Sequence, residues 1–264
     1  MTLLAAAVAG RGVVDTGAPV FFADDEALLR GAAAFETVRV RGGRALFLRD
    51  HAERLERSAR ALRLPAPVGV EALAREALAA AGCEEGVVRL FATSATLLAT
   101  VGELPPGLEA MRRRGIAMIT IRSHDAGLLT GVKATSYATA LAAIAEAERR
   151  GADDALYLGA GERVLEATMS NIWWRDGDVL STPSLATGVL PGVTRAAVAR
   201  LAARAGYRVR EGSFTLPVLL RAEEAFTSSA VREIMPVIAI DARELPRPLA
   251  AARLQALLEQ AADE

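Results

Sequence analysis

Phe35-Glu36-Thr37-Val38-Arg39-Val40 alternates with period two, breaks at Arg41-Gly42-Gly43, and resumes as an apolar run over residues 44–48. Alternation around a glycine turn predicts a β-hairpin. Asp50 with Glu53 forms a capping-box pattern, and Leu55, Ala59 and Leu62 recur at helical spacing until Pro65. A second helix is expected over 69–81. Apolar runs at 2–8, 87–92 and 116–121 read as strands. Residues 94–107, with Pro105-Pro106, read as a loop-rich excursion.

The pattern changes after Arg122. Residues 123–130 show little periodicity and are expected to connect a small N-terminal α/β domain (1–122) to a larger domain (131–264). In the second, a helix over 138–150 is stopped by Gly151. Short strands follow at 155–158, 164–167, 172–175 and 179–180, separated by the turns Gly159-Ala160-Gly161 and Asp176-Gly177-Asp178. A helix over 194–205, strands at 207–210, 224–228 and 237–240, and a helix over 248–262 complete the pattern. Hairpins with singly inserted helices predict an α+β fold with mixed or antiparallel sheets, not a repeating βαβ unit.

Composition narrows the function classes. Hydrophobic residues are 52% of the 264 and aromatics 5%, so the core is expected to be Ala, Val and Leu. A net charge of -1, with Arg112, Arg113 and Arg114 as the one short basic cluster, argues against a nucleic-acid partner. A single cysteine, Cys83, excludes an internal disulfide, fits a reducing compartment, and has no His or second Cys nearby to make a metal site. The apolar stretch at 2–8 is too short for a membrane span. A cytoplasmic protein without metal or membrane partner is expected.

Of the 31 basic residues one alone, Lys133, is a lysine. Arginine holds its proton and makes forked hydrogen bonds, whereas a lysine amine can lose its proton and attack a carbonyl. A chain that uses arginine everywhere else points to a required amine in Gly131-Val132-Lys133-Ala134-Thr135-Ser136-Tyr137, although arginine-rich composition also leaves stray lysines by chance. Gly188-Val189-Leu190-Pro191-Gly192-Val193-Thr194-Arg195 is a glycine-flanked turn into a helix with Thr194 at the N-cap position, which suits a phosphate. Many ordinary helices begin the same way. Glu166 lies within an apolar strand and needs a partner, either a protonated pyridine nitrogen or an arginine.

Six segments in order carry a resemblance: Phe35-Glu36-Thr37-Val38-Arg39, His51-Ala52-Glu53-Arg54-Leu55, Val132-Lys133 through Tyr137, Glu166 through Asn171, Gly192-Val193-Thr194-Arg195 and Glu223-Glu224-Ala225-Phe226. Together they resemble the fold-type IV pyridoxal-phosphate enzymes. The resemblance implies a two-domain fold whose larger domain has a barrel-like sheet, pyridoxal 5'-phosphate as cofactor, a small-molecule substrate and a homodimer. It implies that Lys133 forms the Schiff base and Glu166 faces the pyridine nitrogen. Arg54 binds the phosphate with the Val193 and Thr194 backbone and the Thr194 hydroxyl. Tyr137, Ser170, Asn171, Ser229 and Ala230 complete the cofactor site, and Phe35, Arg39 and Arg89 are candidates for substrate. His51 is expected to be a structural hydrogen-bonding residue, and His124 to border the cleft. Ala230 replaces a threonine common in the aminotransferases, and Arg89 lacks the Arg-x-His pairing of the D-amino acid enzymes. The implied activity is therefore the lyase reaction converting 4-amino-4-deoxychorismate to 4-aminobenzoate and pyruvate, for folate synthesis. The alternative is a class IV aminotransferase acting on D- or branched-chain amino acids.

Overall fold

The computed structural model describes residues 2–123, 127, 129–246 and 249–263. They form two compact units, Met1–Pro106 with Val132–Tyr137, and Gly107–Gly131 with Ala138–Glu264. His124 lies outside the described residues.

The first unit contains β1 (Leu3–Val8), β2 (Gly12–Val14), α1 (Glu26–Arg30), β3 (Ala34–Arg41), β4 (Arg44–Ala45), α2 (Leu48–Ala61), α3 (Val70–Ala81), β5 (Gly86–Ala92) and β6 (Leu97–Gly102). Among the described residues its antiparallel sheet has the order β2-β1-β6-β5-β3-β4. Alternation in β3 sends Ala34, Glu36, Val38 and Val40 to the buried side. Val38, Val40, Val88, Leu90 and Val101 form one core with Leu55 and Ala59 of α2 and Leu73, Ala74 and Ala77 of α3. Ala6, Val8 and Leu98 gather Val14, Val20, Phe21 and Phe91 into a second, smaller cluster.

Two local expectations are corrected here. Residues 97–102 form strand β6 inside the supposed loop excursion, hydrogen-bonded to both β1 and β5. A central strand is buried on both faces, so the run Leu97-Leu98-Ala99-Thr100-Val101-Gly102 carries no alternation to read. The capping box also does not cap: α2 begins at Leu48 after Phe47 in the left-handed region, with no side-chain cap. The tight turn out of β4 starts the helix early, leaving Asp50 in the first turn, where a negative charge still suits the helix dipole.

The second unit contains α4 (Leu108–Arg114), β7 (Ile116–Arg122), α5 (Ala138–Arg149), β8 (Asp154–Gly159), β9 (Arg163–Ala167), β10 (Asn171–Asp176), β11 (Val179–Pro183), α6 (Val193–Ala202), β12 (Arg208–Gly212), α7 (Leu216–Leu219), β13 (Glu224–Ser229), β14 (Glu233–Ile240), β15 (Arg243–Glu244) and α8 (Ala250–Asp263). Its mixed sheet runs β12-β11-β10-β13-β14-β7-β8-β9, with β15 on β14. The sheet curls: Val164 N donates to Phe214 O, and Arg163 bridges Thr215, so β9 meets the segment following β12. Ile116, Met118, Leu156, Ile172, Trp174, Met235 and Val237 form one core. The barrel-like α+β architecture is as expected.

The chain divides otherwise than at 123–130. β7 pairs in parallel with β8 and with β14, which puts it in the second unit's sheet. Residues 133–135 instead extend the first unit's sheet edge: Phe35 N donates to Lys133 O and Thr135 N to Ala33 O. The chain thus crosses twice, so Lys133 belongs with the first unit and not with residues 138–264.

Leu55 seats α2 on the sheet and is fully buried. Leu55→Ala is expected to cost about 2–5 kcal/mol, the usual range for a buried leucine truncation, read from urea unfolding. A loss under about 1 kcal/mol would show that α2 is held by its polar contacts instead.

Candidate active site

Lys133 is fixed at both ends of its peptide unit. Its N–H donates to Ser58 Oγ at 3.1 Å, and its carbonyl accepts from Phe35 N at 3.1 Å. The amine is set by neighbours four residues on and across the strand pair. Nζ donates to the Tyr137 hydroxyl at 3.0 Å and lies 4.2 Å from the centre of the Phe35 ring. Phe35 and Tyr137 meet edge to face at 5.0 Å. The lone lysine amine is therefore held among aromatic faces that tolerate its cation and beside a hydroxyl that can exchange a proton with it.

The second group is a fully buried carboxylate. Glu36 is 0% exposed, with Arg54 at 4% and His51 at 2%. Arg54 Nε and Nη2 each donate to one Glu36 oxygen at 2.7 Å, and His51 Nδ1 lies 2.7 Å from Oε2. Helical spacing puts His51, Arg54 and Ser58 on one buried stripe of α2. Burial pushes the Glu36 carboxyl up, but hydrogen bonds and charge from Arg54 and His51 outweigh it and bring it to about 2. Burial lowers the His51 pKa; Glu36 opposes this, while the Arg54 and Lys133 charges add to it. An ionised carboxylate only accepts, so neutral His51 donates from Nδ1. His51 is a hydrogen-bonding residue, as expected. Glu36 was not singled out in the sequence, although its place at a buried parity of β3 marks it by the same rule that marked Glu166.

Glu166, near the end of β9, accepts from Leu190 N at 3.1 Å and from Asn171 Nδ2 at 3.0 Å. Asn171 Nδ2 also donates to Leu190 O at 3.0 Å, so this amide ties the carboxylate to the 188–192 loop. Gly192 is required there: a Cβ would stand 2.1 Å from Asn171 Oδ1. Helix α6 then starts with Gly192 as N-cap, placing Val193 and Thr194 at its first two positions rather than Thr194 at the cap. Both are buried, and their N–H groups belong to the first turn, where no intrahelical acceptor exists. Thr194 is not a cap because the extended Gly192 already turns the chain into the helix.

Ser170 is 7% exposed, and its Oγ has no hydrogen-bond partner among the described residues. Ser229 ends β13, and Ala230 follows in the turn to β14. That turn is anchored by Arg232, which donates to the buried Asp154 at 2.7 Å, and Asp154 also accepts from Thr168 Oγ1 at 2.5 Å. On the first unit's sheet, Arg39 pairs with Glu85, while Arg89 stands exposed opposite Thr37 and Thr100. Phe35, Thr37 and Arg39 share one face of β3. Among the described residues no group of three or more His, Cys, Asp or Glu could hold a metal, and no helix is long and apolar enough to cross a membrane.

The buried triad fixes the sign of an acid effect. Native Glu36 stays ionised down to about 2 against an ordinary 4.5, so its contribution is present above 4.5 and lost as pH falls toward 2. That difference is on the order of 3 kcal/mol. His51, lowered in the native state, adds a loss that begins as pH falls through its ordinary value of 6.5. Urea midpoints measured from pH 7.5 to 3 should fall steadily, and His51→Gln should remove the part of the fall above about pH 5. A flat profile in the parent, or an unchanged one in the variant, would contradict the neutral histidine.

The amino-transferase class IV family matches residues 33–240. The bifunctional aminodeoxychorismate lyase / D-amino acid transaminase of Mycobacterium tuberculosis is 30% identical over 89% of this chain and 91% of its own. The branched-chain-amino-acid aminotransferase of Escherichia coli K12 is 28% identical over 81% and 78%. A hypothetical aminotransferase from Mycobacterium tuberculosis, in its PLP-bound form, superposes with a TM-score of 0.90 at 27% identity and 98% of both chains. With the family covering most of the sequence and the likeness running through both units, the chain belongs to the amino-transferase class IV family.

Proposed function

We propose that this chain is a pyridoxal 5'-phosphate-dependent lyase that converts 4-amino-4-deoxychorismate to 4-aminobenzoate and pyruvate, a step of folate synthesis. The observation that carries the cofactor assignment is the Lys133 amine, pinned by its own backbone and set between Tyr137 and Phe35. The other residues that the resemblance assigns to this group have the chemistry it needs. Arg54 offers a guanidinium for a phosphate. Val193 and Thr194 offer first-turn N–H groups, and Ser170 offers a buried hydroxyl with no partner among the described residues. Glu166, held by Leu190 and Asn171, offers a carboxylate to a protonated ring nitrogen. When bound, pyridoxal phosphate supplies a carbonyl for amines and an electron sink for a carbanion.

Lys133 Nζ would hold the cofactor through its aldehyde, and when not so engaged its amine is the base of the site. The free amine then removes the proton from the amine-bearing ring carbon, with Tyr137 Oη as the adjacent hydroxyl that holds or returns a proton. Loss of the enolpyruvyl group leaves an aromatic ring, and protonation of that group gives pyruvate. Arg89, exposed on the sheet face it shares with Phe35, is the cation for a substrate carboxylate; Arg39, already paired with Glu85, is the weaker candidate.

Support for the lyase comes from Ala230 and from the first activity in the name of the M. tuberculosis relative. A second reading, an aminotransferase for D- or branched-chain amino acids, is favoured by that relative's second activity and by the E. coli enzyme. Lys133 Nζ would then be the base that takes the proton from the substrate α-carbon. A homodimer in the cytoplasm completes the proposal: Phe22, Leu28 and Leu29 stand exposed on or beside α1, an apolar surface that a second copy would cover. A sedimentation mass of one chain at micromolar concentration would remove that part.

The deciding assay supplies aminodeoxychorismate with no amino acceptor. Pyruvate should appear, and Lys133→Ala should lower its rate by about a thousandfold or more while borohydride fixes no cofactor mass to that variant. Amino-group transfer to a keto acid without pyruvate from aminodeoxychorismate would replace the lyase by the aminotransferase. Full activity in Lys133→Ala would sink both.

A further inference from the structure

Glu36 has no role in the chemistry just described, yet it is the most deeply buried charge of the first unit, on a strand otherwise sending Ala34, Val38 and Val40 to that side. An apolar residue there would cost no desolvation, and replacing a buried ion pair by apolar side chains is often neutral or stabilising. Stability alone therefore gives a weak reason for a carboxylate. Its contacts give a stronger one. Both oxygens are engaged by Arg54 in a two-point fork, and Oε2 is also held by neutral His51. A two-point fork fixes the plane and rotation of a guanidinium, which a single contact leaves free.

We infer that Glu36 is a positioning residue that acts through Arg54, holding the guanidinium in the orientation in which it receives the cofactor's phosphate. The inference rests on the proposed phosphate role of Arg54. The same two elements set the lysine: Phe35, the neighbour of Glu36 on β3, donates its backbone N–H to the Lys133 carbonyl and lays its ring under Nζ, and Ser58, one turn beyond Arg54 on α2, accepts from Lys133 N. A rigid ligand with an aldehyde at one end and a phosphate at the other needs its two anchors at a fixed separation. Glu36 supplies that by locking the arginine to the strand that carries the lysine's contacts.

Net charge and orientation predict opposite outcomes for Glu36→Gln. Removing the negative charge should tighten binding of a phosphate dianion if only net charge matters. If Glu36 positions Arg54, binding should weaken. Apoprotein would be titrated by equilibrium dialysis with pyridoxal 5'-phosphate and, separately, with pyridoxal, which lacks the phosphate. We expect the dissociation constant of the phosphate ester to rise about tenfold or more and that of pyridoxal to change by less than about threefold. Unchanged or tighter binding of the phosphate ester, or equal losses for both ligands, would overturn the inference. Should Glu36→Gln not fold, Glu36→Asp keeps the charge but shortens the reach, and the same phosphate-selective loss is expected at smaller size. Failure of both to fold would make Glu36 a stability residue and overturn the inference too. Arg54→Lys separates the two levels. If it shows no phosphate-selective loss, the phosphate role of Arg54 falls; if it shows one and Glu36→Gln does not, only the positioning role falls.

Discussion

A carboxylate with no solvent exposure, clasped by one guanidinium and one neutral imidazole, fixes how strand β3 and helix α2 meet. Desolvating that charge costs several kcal/mol, and only near-ideal hydrogen bonds offset it. The offset is complete enough to leave Glu36 ionised far below the ordinary carboxylate range. The consequence is geometric more than energetic. A fork tolerates little sliding, so α2 cannot shift along the sheet by even part of a turn without leaving a buried charge unpaired. Everything placed by α2 and β3 inherits that precision, including the two contacts that hold the backbone of Lys133.

The second unit solves a similar problem with neutral donors. Glu166 is half-buried and is held by an amide N–H and by Asn171, whose two amide hydrogens go to Glu166 and to the Leu190 carbonyl. These contacts come from a side-chain amide and a backbone N–H, so they orient the carboxylate through neutral groups. The loop that supplies Leu190 runs on into Gly192, whose missing side chain is what lets Asn171 approach. Carboxylate and helix start are thus one connected piece of structure, and the glycine that opens Gly192-Val193-Thr194 is a steric requirement.

Much of this was legible in the sequence, and the failures share a cause. Period two in residues 35–40 and helical spacing at Leu55 and Ala59 gave the right elements because each of these elements buries one side. β6 escaped because it is central and covered on both faces. The capping signals at Asp50 and Thr194 were overridden by Phe47 and Gly192, where the incoming chain, not a side chain, sets the first turn. The division at 123–130 missed that β7 pairs with strands more than thirty residues away in sequence, and that residues 133–135 return to the first sheet. Such pairings are non-local and leave no trace in local periodicity. Glu36 is different: its parity was readable, but its partners lie 15 and 18 residues on, in another element, so nothing local announced a triad.

The preference for arginine now has a structural reading. Arg54 with Glu36, Arg114 with Asp153, Arg149 with Glu146 and Arg208 with Asp178 are all two-point forks, a geometry an ammonium cannot make. Where a cation serves as a rigid strut, arginine serves better. Lys133 is held differently: its amine donates to the Tyr137 hydroxyl and rests over the Phe35 ring. Thirty arginines, several of them forked onto carboxylates, beside a single lysine make that one position informative about chemistry.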